Sequence, residues 1–276
     1  MTGLALVLTE PRARFRDLLA AEWCKVWSLR STGWSLLLGV LTVVAFNVGQ
    51  AWDRYRYWPT YDPAARAGYV RDGMALWDAF TGNAAMVMLL AAAAMGAVTV
   101  TGEYGSGLIR TTFAAVPARR SLMAAKVLVV AGVTTGFGAV AAGGSFFATQ
   151  AILSVHGIGL SIGHPGALRV VVASALLAPV SALAGMALGT LLRSGAATIV
   201  ANVVLLLLVP AVTSEKRHWS AVLAHVQPQK AWQRLVKTVD WPEPFPWTVG
   251  GAWLVYAVWA VAAAAVTVLA VQRRDQ

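Results

Sequence analysis

The sequence predicts an all-α integral membrane protein that crosses the bilayer with six helices. Hydrophobic residues make up 58% of the 276-residue chain and charged residues only 12%, whereas soluble domains carry roughly a quarter charged residues. The mean hydropathy is +0.64. Six intervals of more than 20 residues contain no Asp, Glu, Lys or Arg, and about 20 apolar residues are enough to cross the hydrocarbon core.

An amphipathic segment precedes the first span. Its apolar residues recur at helical spacing, and its charged residues fall largely on the other face. The apolar residues are Phe15, Leu18, Leu19, Trp23, Val26 and Trp27, and the charged ones are Arg14, Arg16, Asp17 and Lys25. We predict an interfacial helix within residues 10–30, with its Trp residues at headgroup depth. A membrane anchor is sufficient to explain the pattern, and an additional contact with a partner protein is compatible with it. Because about thirty polar and mixed residues precede the first span, we expect no cleavable signal peptide.

The transmembrane helices are predicted from the uncharged intervals. They cover about 33–51, 82–101, 122–148, 168–192, 196–213 and 247–271. The interval that starts at Val127 is long enough for two spans, but its second half contains repeated glycines and a proline, so we predict one span and a loop. An even number of spans puts both termini on one side. That side carries 12 Lys or Arg against 5 acids and the other side 10 against 7, so the positive-inside rule favours cytoplasmic termini.

Two longer loops join spans on the opposite side. The first is rich in Trp and Tyr and contains Pro59 and Pro63, which interrupt helices. The second, residues 214–246, contains three Trp residues and a Pro-Glu-Pro-Phe-Pro run. Aromatic residues are common at membrane boundaries without further function. We therefore predict loops that follow the interface and form no separate domain.

Small residues recur inside the spans. Gly132 and Gly136 lie four residues apart, as do Gly185 and Gly189, and this spacing lets helix backbones approach closely. Packing within the chain is expected, and contact between two copies is the alternative. Pro179 is predicted to kink the fourth span. No charged residue lies near the middle of a predicted span, which disfavours ion-coupled transport.

The sequence lacks the motifs of an enzyme. It contains no Gly-x-x-x-x-Gly-Lys-Ser/Thr phosphate loop and no His-Glu-x-x-His motif. The lone Cys24 permits no internal disulfide, and His156 and His164 have no carboxylate between them to complete a metal site. We expect no catalytic residue, no cofactor and no metal. The net charge of +10 lies mostly beside the spans, where Lys and Arg contact lipid headgroups, so no nucleic acid partner is expected.

A compact charged segment separates the second and third spans. Residues 103–122 read Glu-Tyr-Gly-Ser-Gly-Leu-Ile-Arg-Thr-Thr-Phe-Ala-Ala-Val-Pro-Ala-Arg-Arg-Ser-Leu. Gly105 and Gly107 permit a tight exit from the second span. The residues offered to a partner are Leu108, Ile109 and Phe113 for an apolar groove, and Arg110, Arg119 and Arg120 for acidic side chains. A basic inner loop that only fixes topology is the alternative interpretation.

Two sequence patterns stand beside the first and second spans. Residues 21–37 read Ala-Glu-Trp-Cys-Lys-Val-Trp-Ser-Leu-Arg-Ser-Thr-Gly-Trp-Ser-Leu-Leu, and residues 102–112 read Gly-Glu-Tyr-Gly-Ser-Gly-Leu-Ile-Arg-Thr-Thr. In these places they resemble the six-span ABC-2 type transporter permeases common in actinobacteria. Those proteins share a Glu-Trp-x-Lys start followed by Arg-Ser-Thr, and a Glu-Tyr-x-x-Gly-x-x-Arg-x-Thr segment. Cys24 stands where a small polar residue is expected.

The resemblance implies that residues 1–276 form one ABC-2 type transmembrane domain. Such a permease pairs with a second copy, identical or paralogous, and docks a separate ATPase subunit through a cytoplasmic coupling helix, here within 103–121. ATP hydrolysis then belongs to the partner alone. The implied coupling residues are Glu103, Tyr104, Gly107, Arg110 and Thr112, with Arg119 and Arg120 beside them, and the interfacial helix contributes Glu22, Trp23, Lys25 and Trp27.

The implied function is export of an amphipathic or hydrophobic compound across the cytoplasmic membrane. A non-transporting membrane scaffold or immunity subunit is the alternative. It would bind its partner without changing the rate of ATP hydrolysis.

Overall fold

A computed structural model describes residues 14–116, 118–214, 217–239 and 244–274, and the side chains of Arg110 and of 271–274 lie outside this description. Residues 10–13 of the predicted interfacial segment and Pro117 of the predicted coupling segment also lie outside it. The described ranges are helical and contain no β-strand. The α-helices are α1 (Phe15–Ser28), α2 (Arg30–Tyr57), α3 (Pro63–Arg71), α4 (Met74–Ala79), α5 (Gly82–Gly105), α6 (Leu108–Ala115), α7 (Arg119–Ser154), α8 (Ala167–Leu192), α9 (Gly195–Val203), α10 (Val209–Val212), α11 (His218–His225), α12 (Pro228–Val236) and α13 (Val249–Arg274).

Six helical segments are long and apolar enough to cross a membrane, which confirms the predicted number. They are built on α2, α5, α7, α8, the run from α9 to α10, and α13. A π-helical segment, Val204–Leu208, joins α9 to α10. The chain between α7 and α8 is a loop, so the uncharged interval after Val127 contains one span, as predicted. The largest boundary differences are at α2 and α7, each of which extends about six residues beyond its predicted end.

The helices α5 and α8 form the centre of the bundle. In α8, 83% of the most apolar window is buried, against 11% in α2. The two central helices touch backbone to backbone. A Cβ atom on Gly96 would lie 1.8 Å from the carbonyl oxygen of Ala182, and one on Gly185 would lie 2.0 Å from that of Ala93. Only glycine is compatible with such contact.

The two predicted pairs of small residues differ in their surroundings. Gly185 and Gly189 both pack against α5, so this pair brings two helices of the chain together, as expected. A Cβ atom added to Gly132 or Gly136 of α7 would meet nothing within 4 Å. Pro179 is buried within α8, which continues on both sides of it, and the kink there stays a prediction.

The second long loop contains two helices that the sequence analysis missed. The helices α11 and α12 are joined by a short connection at Val226 and Gln227. Trp259, three turns inside α13, donates its indole N–H to the carbonyl oxygen of Val226 (2.7 Å), and Trp232 of α12 donates to Ser174 Oγ of α8 (3.0 Å). The helix α12 and the turn before it therefore pack against two spans. The sequence analysis predicted no helices in this loop, and its position along the membrane interface stays a prediction.

The first long loop also folds into short helices. The helix α2 ends before Pro59, and Pro63 occupies the first position of α3, where its missing N–H costs nothing. Asp62 caps α3 by accepting a hydrogen bond from Ala65 N (2.6 Å). The predicted interruptions at the two prolines are thus confirmed, and short helices follow them.

Candidate functional site

Two acidic and two basic side chains meet where α1, α5 and α7 converge. Glu22 and Lys25 lie one turn apart on α1, Glu103 lies in the last turn of α5, and Lys126 lies in the third turn of α7. Lys126 Nζ donates to Glu22 Oε2 (2.6 Å) and to Glu103 Oε1 (2.7 Å). Lys25 Nζ donates to Glu22 Oε1 (2.6 Å) and to Glu103 Oε1 (3.2 Å). Each lysine bridges both glutamates, and the four charges, called the ionic cluster below, sum to zero.

The ionic cluster is buried on the side of α1 that faces the bundle. Glu22 and Lys126 are only 2% and 3% exposed, while Lys25 reaches the surface. Leu18 lies one turn before Glu22 on the same face of α1 and is also buried. Because an unpaired charge is very costly to bury, the complete pairing of Glu22 allows this face to pack against α7. The cluster thereby fastens α1 to the second and third spans.

Lys25 carries a stabilised positive charge. Burial alone would lower its pKa, but the hydrogen bonds and negative charges of Glu22 and Glu103 together outweigh burial and raise the pKa above its ordinary value. Lys25 is therefore protonated at neutral pH.

The short helix α6 begins directly after the ionic cluster. Gly105 ends α5, and Gly107 adopts a φ of 74°, a left-handed conformation that suits glycine. The predicted tight exit is confirmed. Ile109 and Phe113 are buried in the core of this chain, whereas Leu108 is exposed. The apolar face that we expected to contact a partner is therefore used mostly within the chain, because it covers the ends of the spans.

Two cations lie over aromatic rings on either side of α6. The guanidinium carbon of Arg193 is 5.0 Å from the ring centre of Tyr104, and that of Arg119 is 5.1 Å from the ring centre of Phe113. Contacts of this kind are attractive by about 0.5–1 kcal/mol at exposed sites. They place Tyr104 and Arg119, two of the predicted coupling residues, at the two ends of the α6 segment.

The remaining predicted coupling residues lie on or next to α6. The hydroxyl of Thr112 donates to the carbonyl oxygen of Leu108 (2.9 Å) within the helix. Arg120 is exposed in the first turn of α7. The backbone of Arg110 belongs to α6, and its side chain lies outside the described residues. Contact of any of these residues with a partner stays a prediction.

The two predicted tryptophans of α1 lie on its exposed side. The ring centres of Trp23 and Trp27 are 5.7 Å apart, and about half of each side chain is exposed. Their position is what an interfacial anchor needs. Contact with lipid headgroups stays a prediction.

Lys126 is the member of the ionic cluster that the sequence analysis did not single out. It is the fifth residue of the predicted third span, which starts at Leu122. An ionisable residue inside an apolar span usually has an opposite charge as partner. Applied to Lys126, that rule predicts an ion pair with an acidic residue such as Glu103, which lies in the last turn of the preceding span.

A second group of charged residues lies at the opposite end of the bundle. Arg54 Nε donates to Asp78 Oδ2 (2.9 Å), and the hydroxyl of Tyr69 donates to the same oxygen (2.8 Å). Asp78 is 1% exposed. Burial and the negative charge of Asp78 raise the pKa of Tyr69 far above its ordinary value. This group joins α2, α3 and α4, and we assign it a structural role.

A comparison with models of protein families found no match, and a comparison with curated proteins found none either. The described residues contain no group of His, Cys, Asp and Glu that could hold a metal ion. The arrangement of α1, α5, α6 and α7 is therefore the main indication of function.

Proposed function

We propose that this chain is the membrane-spanning permease of an ABC-2 type exporter. Two copies, or one copy and a paralogue, would form the pathway, and a separate ATPase subunit would supply the energy. The end of the bundle that carries α1 and α6 would face the cytoplasm, with both termini. The observation that carries this proposal is that α6, the short helix between the second and third spans, begins beside a buried ionic cluster that also holds α1.

The ionic cluster gives α6 a rigid base. A force on α6 acts on the ends of α5 and α7, because α6 is connected to both by only a few residues. Lys126 and Glu103 fasten those two ends to each other, and Glu22 fastens them to α1. A displacement of α6 would therefore move three helix ends together, which is what a coupling helix requires.

The cluster also has a way to rearrange. Glu22 uses both carboxylate oxygens, whereas Glu103 uses only Oε1. Glu103 Oε2 is buried and has no hydrogen-bond partner among the described residues. A buried acceptor without a partner is costly, so a small movement that lets Lys25 or Lys126 reach this oxygen would be favoured. We therefore propose that this oxygen is where the cluster changes its pairing when α6 moves.

The spans themselves suit an apolar cargo. The buried charged side chains Glu22, Lys126 and Asp78 lie near the two ends of the bundle, and the described middle of each span has none. An amphipathic or hydrophobic compound needs no charged pathway. We therefore propose a cargo of that class.

The test is purification of the tagged full-length chain from its native host in mild detergent. We expect a phosphate-loop ATPase to copurify with it. Arg110→Ala should weaken this association and lower ATP hydrolysis stimulated by the permease, whereas Arg217→Ala, at the opposite end of the bundle, should change neither.

Two results would contradict the proposal. If the chain purifies alone and moves its cargo without nucleotide, the coupling role is wrong. If an ATPase binds but hydrolyses ATP at the same rate with and without this chain, the scaffold alternative is correct.

A further inference from the structure

A polar side chain lies buried in the middle part of the fifth span. Asn202 follows the first residue of the span Gly195–Val212 by seven residues, so about 10 Å of helix precedes it and about 15 Å follows it. Its side chain is only 3% exposed. Thr198, one turn earlier, is fully buried, so both residues belong to the face of α9 that packs against α5 and α8.

The helical rise places Asn202 at the level where α5 and α8 touch. A Cβ atom on Gly195 would lie 3.8 Å from Thr101 Oγ1, so α9 begins beside Thr101 of α5. The second and fifth spans run in opposite directions, and the seventh residue before Thr101 lies between Ala93 and Gly96. Those two residues form the backbone contact with α8. Asn202 therefore lies beside the central pair of helices, away from the polar ends of the bundle.

The carboxamide of Asn202 has no hydrogen-bond partner among the described residues. Its Oδ1 and Nδ2 atoms are both buried and both unpartnered. The hydroxyl of Thr198 donates to the carbonyl oxygen of Ser194 (2.7 Å), and the hydroxyl of Ser181 in α8 donates to that of Leu177 (2.7 Å). Polar residues inside spans ordinarily form hydrogen bonds between helices, and a buried polar group without a partner destabilises a fold. The carboxamide is therefore available to a molecule from outside the chain.

The helix is irregular directly after Asn202. The π-helical segment Val204–Leu208 begins two residues later, and Val209 N–H donates to the carbonyl oxygen of Val204, five residues back. Pro210 follows and has no N–H to donate. Turns of this kind are rare and occur frequently at functional sites. Only 22% of the most apolar window of this span is buried, against 83% in α8, so a small group can enter beside α9 more readily than between α5 and α8.

The ligand that suits Asn202 is uncharged. A carboxamide donates and accepts hydrogen bonds, and a hydroxyl or amide group does the same. An ion would need an opposite charge, because an unpaired charge is very costly to bury. The buried charged side chains of the described ranges, Glu22, Asp78 and Lys126, lie near the ends of the bundle. The outer face of the fifth span is apolar, with Val200 exposed, so the rest of the ligand would be apolar.

We propose that Asn202 binds the hydroxyl or amide group of an uncharged amphiphile between the fifth span and the pair formed by α5 and α8. The apolar part of this molecule lies along the fifth span, towards the lipid. That the amphiphile is the exported compound rests on the proposed function, whereas the binding itself does not.

The test is photolabelling of the tagged full-length chain in phosphatidylcholine vesicles, without ATPase or nucleotide. The probes are the photoreactive alcohol 3-azioctanol and its analogue without the hydroxyl, 3-azioctane, and peptide mass spectrometry locates the label. We expect saturable labelling of α9 and of the facing parts of α5 or α8 by the alcohol, and no saturable labelling by the alkane. Asn202→Leu keeps the side-chain volume and should weaken the apparent affinity for the alcohol about fivefold, the fold-change for one hydrogen bond between uncharged groups.

Two controls separate binding from stability. Ser181→Ala removes a buried hydroxyl that bonds within α8, and it should leave labelling unchanged. Asn202→Leu should unfold at the same temperature as the wild type or at a higher one, because no hydrogen bond of the carboxamide within the described chain is lost.

The proposal is overturned if the alkane labels α9 as saturably as the alcohol, if Asn202→Leu binds the alcohol normally, or if Ser181→Ala weakens binding equally. It is also overturned if Asn202→Leu lowers the unfolding temperature, since the carboxamide would then be bonded within the protein. Saturable labelling by the alcohol without a copurifying ATPase would support this site and contradict the proposed function. Stimulated ATP hydrolysis without binding of the alcohol would contradict this site alone.

Discussion

Replacing Lys126 with Met should destabilise the protein far more than the same replacement at Lys25. Lys126 makes hydrogen bonds of 2.6 and 2.7 Å to two glutamates, and its side chain is 4% exposed. Either substitution leaves Glu22 and Glu103 to share one lysine, but Lys126→Met removes the buried partner, and breaking a buried ion pair costs about 3–5 kcal/mol. The side chain of Lys25 is 43% exposed, so Lys25→Met should cost only about 0.2–1 kcal/mol.

The difference can be measured by equilibrium unfolding of the two variants in mixed detergent micelles. A double-mutant cycle with Glu22→Gln separates the ion pair from other effects of the substitution. We expect the double variant Glu22→Gln/Lys126→Met to be more stable than the sum of the single losses predicts, by about 0.5–3 kcal/mol. Equal losses for Lys25→Met and Lys126→Met, or strict additivity in the cycle, would refute the view that the cluster is a buried and coupled unit.

Two further predictions concern the core and the opposite end of the bundle. Gly96→Ala should lower the free energy of unfolding by about 3 kcal/mol, because the new methyl group would overlap the carbonyl of Ala182. As a control, Gly132→Ala should leave the free energy of unfolding unchanged or raise it by about 0.5–1 kcal/mol. A similar effect of both substitutions in thermal unfolding would contradict the packing of α5 against α8. The raised pKa of Tyr69 means that the unfolded chain releases the phenol proton near pH 10 while the folded chain keeps it. The contribution of Tyr69 to the free energy of unfolding is therefore complete below pH 10. Above pH 10 this contribution decreases by up to about 1.4 kcal/mol per pH unit. Unfolding measured from pH 9 to 11.5 should show a smaller slope for Tyr69→Phe than for the wild type, and Tyr57→Phe, at an exposed position, should keep the wild-type slope.

The spans could be predicted from the sequence because a helix that crosses the membrane requires about 20 consecutive apolar residues, and uncharged intervals of that length are visible directly. The same rule predicted the number of spans and the loop after α7. The position of Gly107 was also predictable, since a sharp exit from a helix calls for the left-handed conformation that glycine tolerates. These features depend on local sequence alone.

The features that were missed depend on contacts between distant parts of the chain. Lys126 looks like an ordinary basic residue at a span end until Glu22, 104 residues earlier, is placed beside it. The helix α12 has only nine residues, too few for its periodicity to stand out, and its stability comes from burial of Trp232 against α8. The apolar face of α6 was recognised, but a sequence pattern does not say whether such a face meets a partner or the chain itself.

The backbone contact between α5 and α8 limits how the bundle can change shape. Because the two helices are in backbone contact at Gly96 and Gly185, we expect α5 and α8 to move together as one unit. The helices α2, the run from α9 to α10, and α13 have fewer buried residues and are held less tightly to this unit. A displacement that α6 passes to α5 would therefore carry α8 with it, and an opening between helices would form around this pair rather than within it.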